Sequence, residues 1–350
     1  MAMKKDIVSL DWNQLQTEIK NMGEKSFRAG QIYEWLHVKG AGSFSEMSNL
    51  SLKLRDRLEE AYIIPPVRAV RRQDSKLDGT SKFLFELGDG SRVESVWMEY
   101  KYGNSVCISS QVGCRMGCRF CASTLDGLER NLSISEMLSQ IYQIQKIMGE
   151  RVSNVVVMGT GEPLDNYDNL LGFIRMLSDE HGLHISQRSI TVSTCGLVPQ
   201  ILALAEEKLQ ISLALSLHGA TQEKRCALMP IARRYELKDV LKACDIYFEK
   251  TGRRMSYEYS LVHGVNDTEE DARELGALLK GKNCLLNLIP VNPIKERDYK
   301  RPSREAARKF QNKLEKSGIN VTIRREMGSD IDGACGQLRR RDAKAREGEI

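Results

Sequence analysis

From about Ser105 onward the chain alternates short apolar runs with amphipathic stretches, and this alternation restricts the fold more than any other feature. Strand-like runs fall at residues 106–109, 154–158, 189–193, 211–217, 256–262 and 285–291. Helical patterns lie between them at 170–177, 198–204, 237–248 and 269–279. Another opens with a capping box, Ser133-x-x-Glu136, and sets Ile134, Leu138, Ile141 and Met148 on one face. Strands that alternate with helices join through crossovers into a parallel sheet. The six strand-like runs predict an α/β fold, an incomplete (β/α)6 barrel rather than a closed eightfold one. Ligands in such folds bind at the C-terminal ends of the strands, so chemistry is expected there.

The first 80 or so residues read differently. Residues 27–38 carry Phe27, Ile32, Trp35 and Leu36 near helical spacing and stop at Gly40; residues 50–58 form a second amphipathic pattern, closed by Pro65 and Pro66. This predicts a helical N-terminal module with Arg57, Arg68, Arg71 and Arg72 as a basic cluster near its end. A solvated face explains those arginines as well as an RNA contact does. Residues 83–87 and 93–98, separated by a Gly-Asp-Gly turn, predict a β-hairpin. The expected division is an accessory module over 1–80, the partial barrel with its preceding hairpin over 81–325, and a C-terminal stretch with a basic tail over 326–350. With 41% hydrophobic and 28% charged residues, the chain can bury a core and is not a disordered polymer. No apolar run approaches the roughly 20 residues of a membrane span, and residues 1–11 are too short and polar for a signal peptide. A cytoplasmic protein with no membrane partner is expected. The net charge of +5 permits nucleic-acid binding without demanding it.

Nine cysteines, an odd number with no secretion signal, argue against a disulfide scaffold. Three of them, Cys114, Cys118 and Cys121, form C-x-x-x-C-x-x-C in the loop after the first strand of the alternation. A structural zinc site normally has four ligands in paired motifs, and none of the five histidines lies near the triplet. An iron–sulfur cluster held by thiolates fits better; three ligands on a four-iron cluster leave one iron open. Zinc, or plain core cysteines, are the alternatives.

This spacing resembles that of the radical S-adenosylmethionine (radical SAM) enzymes, and the likeness extends past the triplet. Residues 158–164, with Gly161 and Glu162, are similar to the family's turn at the amino group of S-adenosylmethionine. Ser193 ends the third strand, Ser216-Leu217-His218 ends the fourth, and Asn292 follows the sixth. All share one edge of the expected sheet, although Ser and Asn at strand ends are commonly just caps. Within the superfamily, residues 107–114 (CISSQVGC), 161–166 (GEPLDN), 228–231 (LMPI) and 330–338 (DIDGACGQL) resemble the RlmN/Cfr family of RNA adenine methyltransferases over nearly the whole chain. Thr160 stands where Met is expected; the contact there belongs to the neighbouring backbone and Glu162. Members that methylate C8 typically read QCGC and GEAL where this chain reads QVGC and GEPL, which favours C2 as the target.

The resemblance implies a [4Fe-4S] cluster on Cys114, Cys118 and Cys121, and two S-adenosylmethionine molecules per turnover. It implies 23S rRNA (peptidyl-transferase centre) and the adenosine adjacent to the anticodon of tRNAs as substrates, a one-electron reductase such as a flavodoxin as partner, and a monomer. Adenine C2 is electron-poor and does not attack a sulfonium methyl, so a radical route is needed and the cofactor supplies it. By the same resemblance Cys335 accepts a methyl group as a thiolate nucleophile. Its methylene radical would add to C2, and Cys107 would release the product through a transient disulfide with Cys335. Glu94 matches the proton acceptor for C2, a role that Cys107 is equally placed to take. Read alone, Cys107 is a core residue of an alternating strand and Glu94 an exposed strand residue; Cys195, Cys226, Cys244 and Cys284 read as buried small hydrophobes. Arg339, Arg340, Arg341, Lys344 and Arg346 read as solvated, with phosphate contact as the alternative. Two competing functions remain at this point, C8 methylation of 23S rRNA and a non-enzymatic iron–sulfur RNA-binding protein; the latter leaves Cys335 without a reason to exist.

Overall fold

The computed structural model describes residues 4–294, 296–331, 338–339 and 342. Strand β1 (Lys5–Asp6) leads into helices α1 (Trp12–Asn21), α2 (Phe27–His37) and α3 (Leu52–Ala61), after which β2 (Tyr62–Ile63) pairs in parallel with β1. Helix α1, which the sequence reading passed over, is fixed at its start by a reciprocal capping box between Asp11 and Gln14. Helix α2 buries Ala29, Ile32, Tyr33 and Leu36, the face its spacing predicts.

Strands β3 (Val67–Asp74), β4 (Ser81–Leu87), β5 (Arg92–Tyr100) and β6 (Gly103–Ile108) form an antiparallel meander. The short pair β7 (Gln111–Gly113) and β8 (Leu128–Asn131) then brackets the cysteine loop. The alternation follows: α4 (Ile134–Met148), β9 (Val152–Val157), α5 (Tyr167–Leu177), β10 (Ile190–Thr194), α6 (Val198–Glu206), β11 (Ser212–Ser216), α7 (Gln222–Leu228), α8 (Leu237–Thr251), β12 (Met255–Leu261), α9 (Glu269–Leu279), β13 (Cys284–Pro290), α10 (Arg304–Lys316) and β14 (Val321–Ile323). One ten-stranded sheet runs β14-β13-β12-β11-β10-β9-β6-β5-β4-β3. It is parallel from β14 to β6 and antiparallel beyond. The six expected strands are all present; β14 adds a short further one, and the sheet stays open because β14 and β3 are edges.

The expected hairpin joins the barrel sheet directly: β5 pairs with β6, so the meander extends that sheet. One expectation needs correction. Arg68, Arg71 and Arg72 lie on β3, an edge strand of that sheet, and not on the helical module. Their mostly exposed strand carries the charge that keeps an edge from pairing with another chain. Among the described residues no helix is long and apolar enough to cross a membrane.

The N-terminal module docks on α4 and on the turn after α5. Asp6 accepts from Ser135 Oγ at 2.6 Å, Trp12 stacks on His181 at 3.8 Å, and His37 Nδ1 meets Tyr142 Oη at 2.8 Å. His37 is buried, and that burial pushes its pKa down to about 3 from 6.5. The folded pKa lies below the unfolded one, so protonation favours unfolding. His37 therefore withholds nothing above pH 6.5, and costs about 1.4 kcal/mol per pH unit as pH falls from there toward 3. His37→Gln is expected to flatten the acid limb of stability between pH 6 and 4 by one proton's worth. Denaturant melts with the same acid slope in both proteins would show that His37 is protonated in the fold.

Candidate active site

The cysteine loop is shaped by its glycines. Gly113 has φ +77°, and a Cβ there would lie 2.0 Å from Gly127 O, so only glycine lets the loop close on itself. Cys114 N donates to Gly127 O at 2.7 Å, Cys121 N donates to Cys118 O at 3.2 Å, and Thr124 Oγ1 caps the carbonyls of Cys118 and Cys121 at 3.0 Å each. Arg115 pairs with Asp165 across the loop mouth. Burial pushes the Cys114 thiol up to about 12 and the Cys118 thiol well above its ordinary value, with the neighbouring cysteines opposing further charge. Thiols buried in this way, as Cys114 and Cys118 are, need a cationic centre to become thiolate ligands. Among the described residues no three His, Cys, Asp or Glu side chains converge on a single ion. A structural zinc site normally takes four protein ligands, whereas a four-iron cluster takes each of three thiolates on a different iron and leaves the fourth open, so a loop with three cysteines fits the cluster.

The turn after β9 packs against the end of β6. A Cβ on Gly159 would come within 2.7 Å of Ile108 O, and one on Gly161 (φ +114°) within 2.7 Å of the Gln111 and Ser110 side chains. Thr160 keeps its main-chain work, its N–H donating to Ser109 Oγ and its carbonyl accepting from Ser110 N and Gln111 N. Glu162 follows, buried, with Oε2 accepting from Cys195 N at 2.8 Å and Oε1 from Leu164 N at 3.2 Å. Burial raises its pKa while these N–H groups hold the charged form. A buried carboxylate of this kind suits an ammonium ligand.

Ser193, Ser216, His218 and Asn292 complete the floor. Ser193 Oγ donates to Val157 O at 3.2 Å. His218 sits at φ +54° with Nδ1 accepting from Ser260 N at 2.8 Å, which leaves the proton on Nε2 of the neutral ring. Burial lowers its pKa to about 3, and Phe120 packs edge-on at 4.7 Å. These residues enclose one cavity of about 510 Å³, lined by Cys107, Cys114, Cys118, Cys121, Gly161, Glu162, Ser193, Ser216, His218 and Asn292 among others. That volume suits a nucleoside-sized ligand.

Three expected residues stand apart. Leu217 is buried behind the lining and contributes only its backbone, its N–H donating to Glu258 O at 2.9 Å. Glu94 is not on the lining and is not exposed: its Oε2 pairs with Lys82 Nζ at 2.8 Å in a buried ion pair, and its Oε1 accepts from Arg339 N at 2.6 Å. Its strand pattern could not reveal this, because one partner lies 245 residues away. Cys335 lies outside the described residues, as do Arg340, Arg341, Lys344 and Arg346; Ile331, at the edge of the cavity, is described. The described residues contain no disulfide. Cys195, read from sequence as a bland core cysteine, lines the cavity beside Glu162; its place at the end of β10, in the Ser-Thr-Cys-Gly turn, was the available signal. Cys244 and Cys284 are buried in the core as expected.

A three-cysteine loop, a glycine–glutamate turn and a parallel open sheet that focuses both on one cavity define a radical SAM enzyme. Residues 108–276 match the radical SAM superfamily, and residues 5–64 match the ribosomal RNA large subunit methyltransferase N-terminal domain. A crystal structure of a radical SAM methyltransferase from Sphaerobacter thermophilus superposes with a TM-score of 0.91 at 39% identity, covering 95% of this chain and 98% of that one. A probable dual-specificity RNA methyltransferase RlmN from Lachnoclostridium phytofermentans is 64% identical over 96% of this chain and 95% of its own length. One of the same name from Clostridium perfringens is 51% identical over 98% and 99%. The chain belongs to the RlmN family of radical SAM methyltransferases. Its cofactors are accordingly a [4Fe-4S] cluster and S-adenosylmethionine.

Proposed function

We propose that this enzyme methylates C2 of adenosine in 23S rRNA, at the peptidyl-transferase centre, and C2 of the adenosine adjacent to the anticodon in tRNAs, and that it does so in the cytoplasm as a monomer supplied with electrons by a flavodoxin-like reductase. The observation that carries the reading is Cys107 on the wall of the cavity that the cluster cysteines line. A second thiol beside a radical site is superfluous for simple cleavage of S-adenosylmethionine but is what a covalent RNA intermediate needs for release.

Cys114, Cys118 and Cys121 would hold the cluster; Gly161, Glu162, Ser193, Ser216, His218 and Asn292, with the backbone at Leu217, would hold S-adenosylmethionine. Bound together, these cofactors supply the carbon radical that an unactivated aromatic carbon requires. Cys335 carries the methyl group as a thioether, made at the expense of one of the two S-adenosylmethionine molecules used per turnover. Cys107 then attacks the Cys335 sulfur; the bond from that sulfur to the methylene carbon breaks, its electron pair stays on the carbon, which takes a proton to become the methyl group, and the Cys107–Cys335 disulfide is returned to two thiols by a thiol reductant. For the C2 proton the geometry favours Cys107 over Glu94, whose carboxylate is held by Lys82 and the Arg339 backbone. Glu94 acts instead by seating residues 338 and 339, just beyond Cys335; Leu338 is fully buried there. In domain terms, the helical module that precedes β3 and residues 326–350 serve RNA binding and methyl transfer, and the sheet and helices from β3 to residue 325 the radical chemistry.

Cys335→Ala tests the reading directly. The variant is expected to load its cluster and to transfer no methyl group to RNA, while the wild type, incubated with S-adenosylmethionine under reducing conditions, gains one methyl on Cys335 by intact-protein mass. An unmodified Cys335 in cluster-loaded, reduced wild type would overturn the thioether route. Mapping the methyl group on the product adenine separates C2 from C8.

A further inference from the structure

Arg225, on α7, is fully buried. Its Nη2 donates to Cys195 O at 2.6 Å and more weakly to Ser216 O at 3.4 Å, while Nε has no partner among the described residues. No carboxylate pairs with it there; the ionisable groups that face it are Cys195, Cys118, Cys244 and Cys226, and its own charge helps keep His218 neutral. A guanidinium cannot shed its proton in a protein, and burying one unpaired is costly. The fold therefore carries a cation whose counter-charge is not supplied by the described protein groups.

The cation is held in register with the cysteine loop. Arg119 N donates to Leu228 O at 2.9 Å, and Gly117 faces the Pro230 ring, at 3.4 Å from where its Cβ would be. The Leu-Met-Pro-Ile run at 228–231, which no site residue explains, thus ties α7 to the loop. Arg225 does not line the cavity; it stands behind the wall that Cys118, Cys195 and His218 form.

We infer that Arg225 is the counter-charge of the iron–sulfur cluster and raises its reduction potential. This rests on the cluster occupying the Cys114–Cys118–Cys121 loop. A four-iron core of charge 2+ with three thiolates is a monoanion, and one electron makes it a dianion. Reduction therefore adds negative charge beside a fixed cation in a medium of low dielectric. At an effective dielectric of about 20, a unit charge within roughly 10 Å shifts such an equilibrium more than tenfold. Arg225 is a positioning and electrostatic residue, not one that touches substrate.

The test compares anaerobically reconstituted wild type, Arg225→Lys and Arg225→Gln by iron content and by a redox titration followed by electron paramagnetic resonance, without and with S-adenosylmethionine. At the wild-type midpoint Arg225→Gln is expected to show a reduced-to-oxidised cluster ratio at least tenfold lower, a fall of about 59 mV or more for a one-electron couple. Arg225→Lys should stay within threefold of wild type, and the shift should already be present without S-adenosylmethionine. The cluster-free Arg225→Gln protein should melt no lower than cluster-free wild type, since it loses an unpaired buried charge; failure to load iron with that melting point intact would also support a counter-charge role. An unchanged midpoint in loaded Arg225→Gln, a shift that appears only with S-adenosylmethionine, an equal shift in Arg225→Lys, or a lowered cluster-free melting point would each overturn the inference alone. A wild type that takes up no iron would instead overturn the cluster assignment on which it rests.

Discussion

Cys107→Ala is expected to leave the enzyme covalently bound to its RNA. Methyl transfer to Cys335 and addition to adenine precede any need for Cys107, so both should proceed in the variant. Release then requires a second thiolate to attack the Cys335 sulfur and break its bond to the methylene carbon, and Cys107 on β6 lines the same cavity. Its side chain packs with Val96 and Met98, and losing one sulfur from that small cluster should cost about 1 kcal/mol, too little to unfold the protein. The adduct should survive denaturant, disappear on nuclease treatment and be absent from Cys107→Ala/Cys335→Ala. Turnover should fall to background. Normal turnover without an adduct would reduce Cys107 to the core residue that its strand pattern alone suggests. Glu94→Gln in the same assay is expected to slow methyl transfer by loosening the seat of Arg339 without accumulating adduct, the opposite pattern from Cys107→Ala.

A comparable loss is expected from the cysteine loop. Wild type reconstituted without oxygen should hold about four irons per chain. Replacing Cys114, Cys118 or Cys121 by Ala should remove most of that iron and drop formation of 5′-deoxyadenosine to background. The effect is large because each of the three thiolates binds a different iron, so neither of the others can take the place of the one lost. Burial also works against the Cys114 and Cys118 thiolates once the cationic centre is lost. The fold should persist, since Gly113, Gly117 and Thr124 shape the loop through backbone contacts that the alanine leaves in place. Undiminished 5′-deoxyadenosine from the triple variant would remove the triplet from the radical chemistry.

The local periodicities were sufficient for most of the architecture. The strands at 190–194, 212–216 and 255–261 and the helices α5, α6, α8 and α9 fall within a few residues of their expected places, because alternation and the 3.6-residue repeat are properties of contiguous sequence. The cysteine spacing, Gly161-Glu162 and the serines at strand ends were legible for the same reason. Parallel strands with short returns place their C-terminal ends together, so motifs written at those ends converge without further instruction.

What the tertiary structure alone decided are the pairings between distant segments. Nothing within residues 65–80 marks β3 as the outer strand of the barrel sheet; it is one because Val67 to Asp74 find Leu87 to Ser81 in register. Glu94 reads as exposed until β4 brings Lys82 against it and residue 339 returns across the chain to its other oxygen. Cys195 and Cys244 are both small and both buried, yet only the first faces the cavity, because the turn after β10 swings toward Glu162. Arg225 looks like a surface cation on a short polar helix and is fully enclosed instead. Burial and charge pairing depend on which surfaces meet across the sheet, and a sequence window contains only one of the two surfaces.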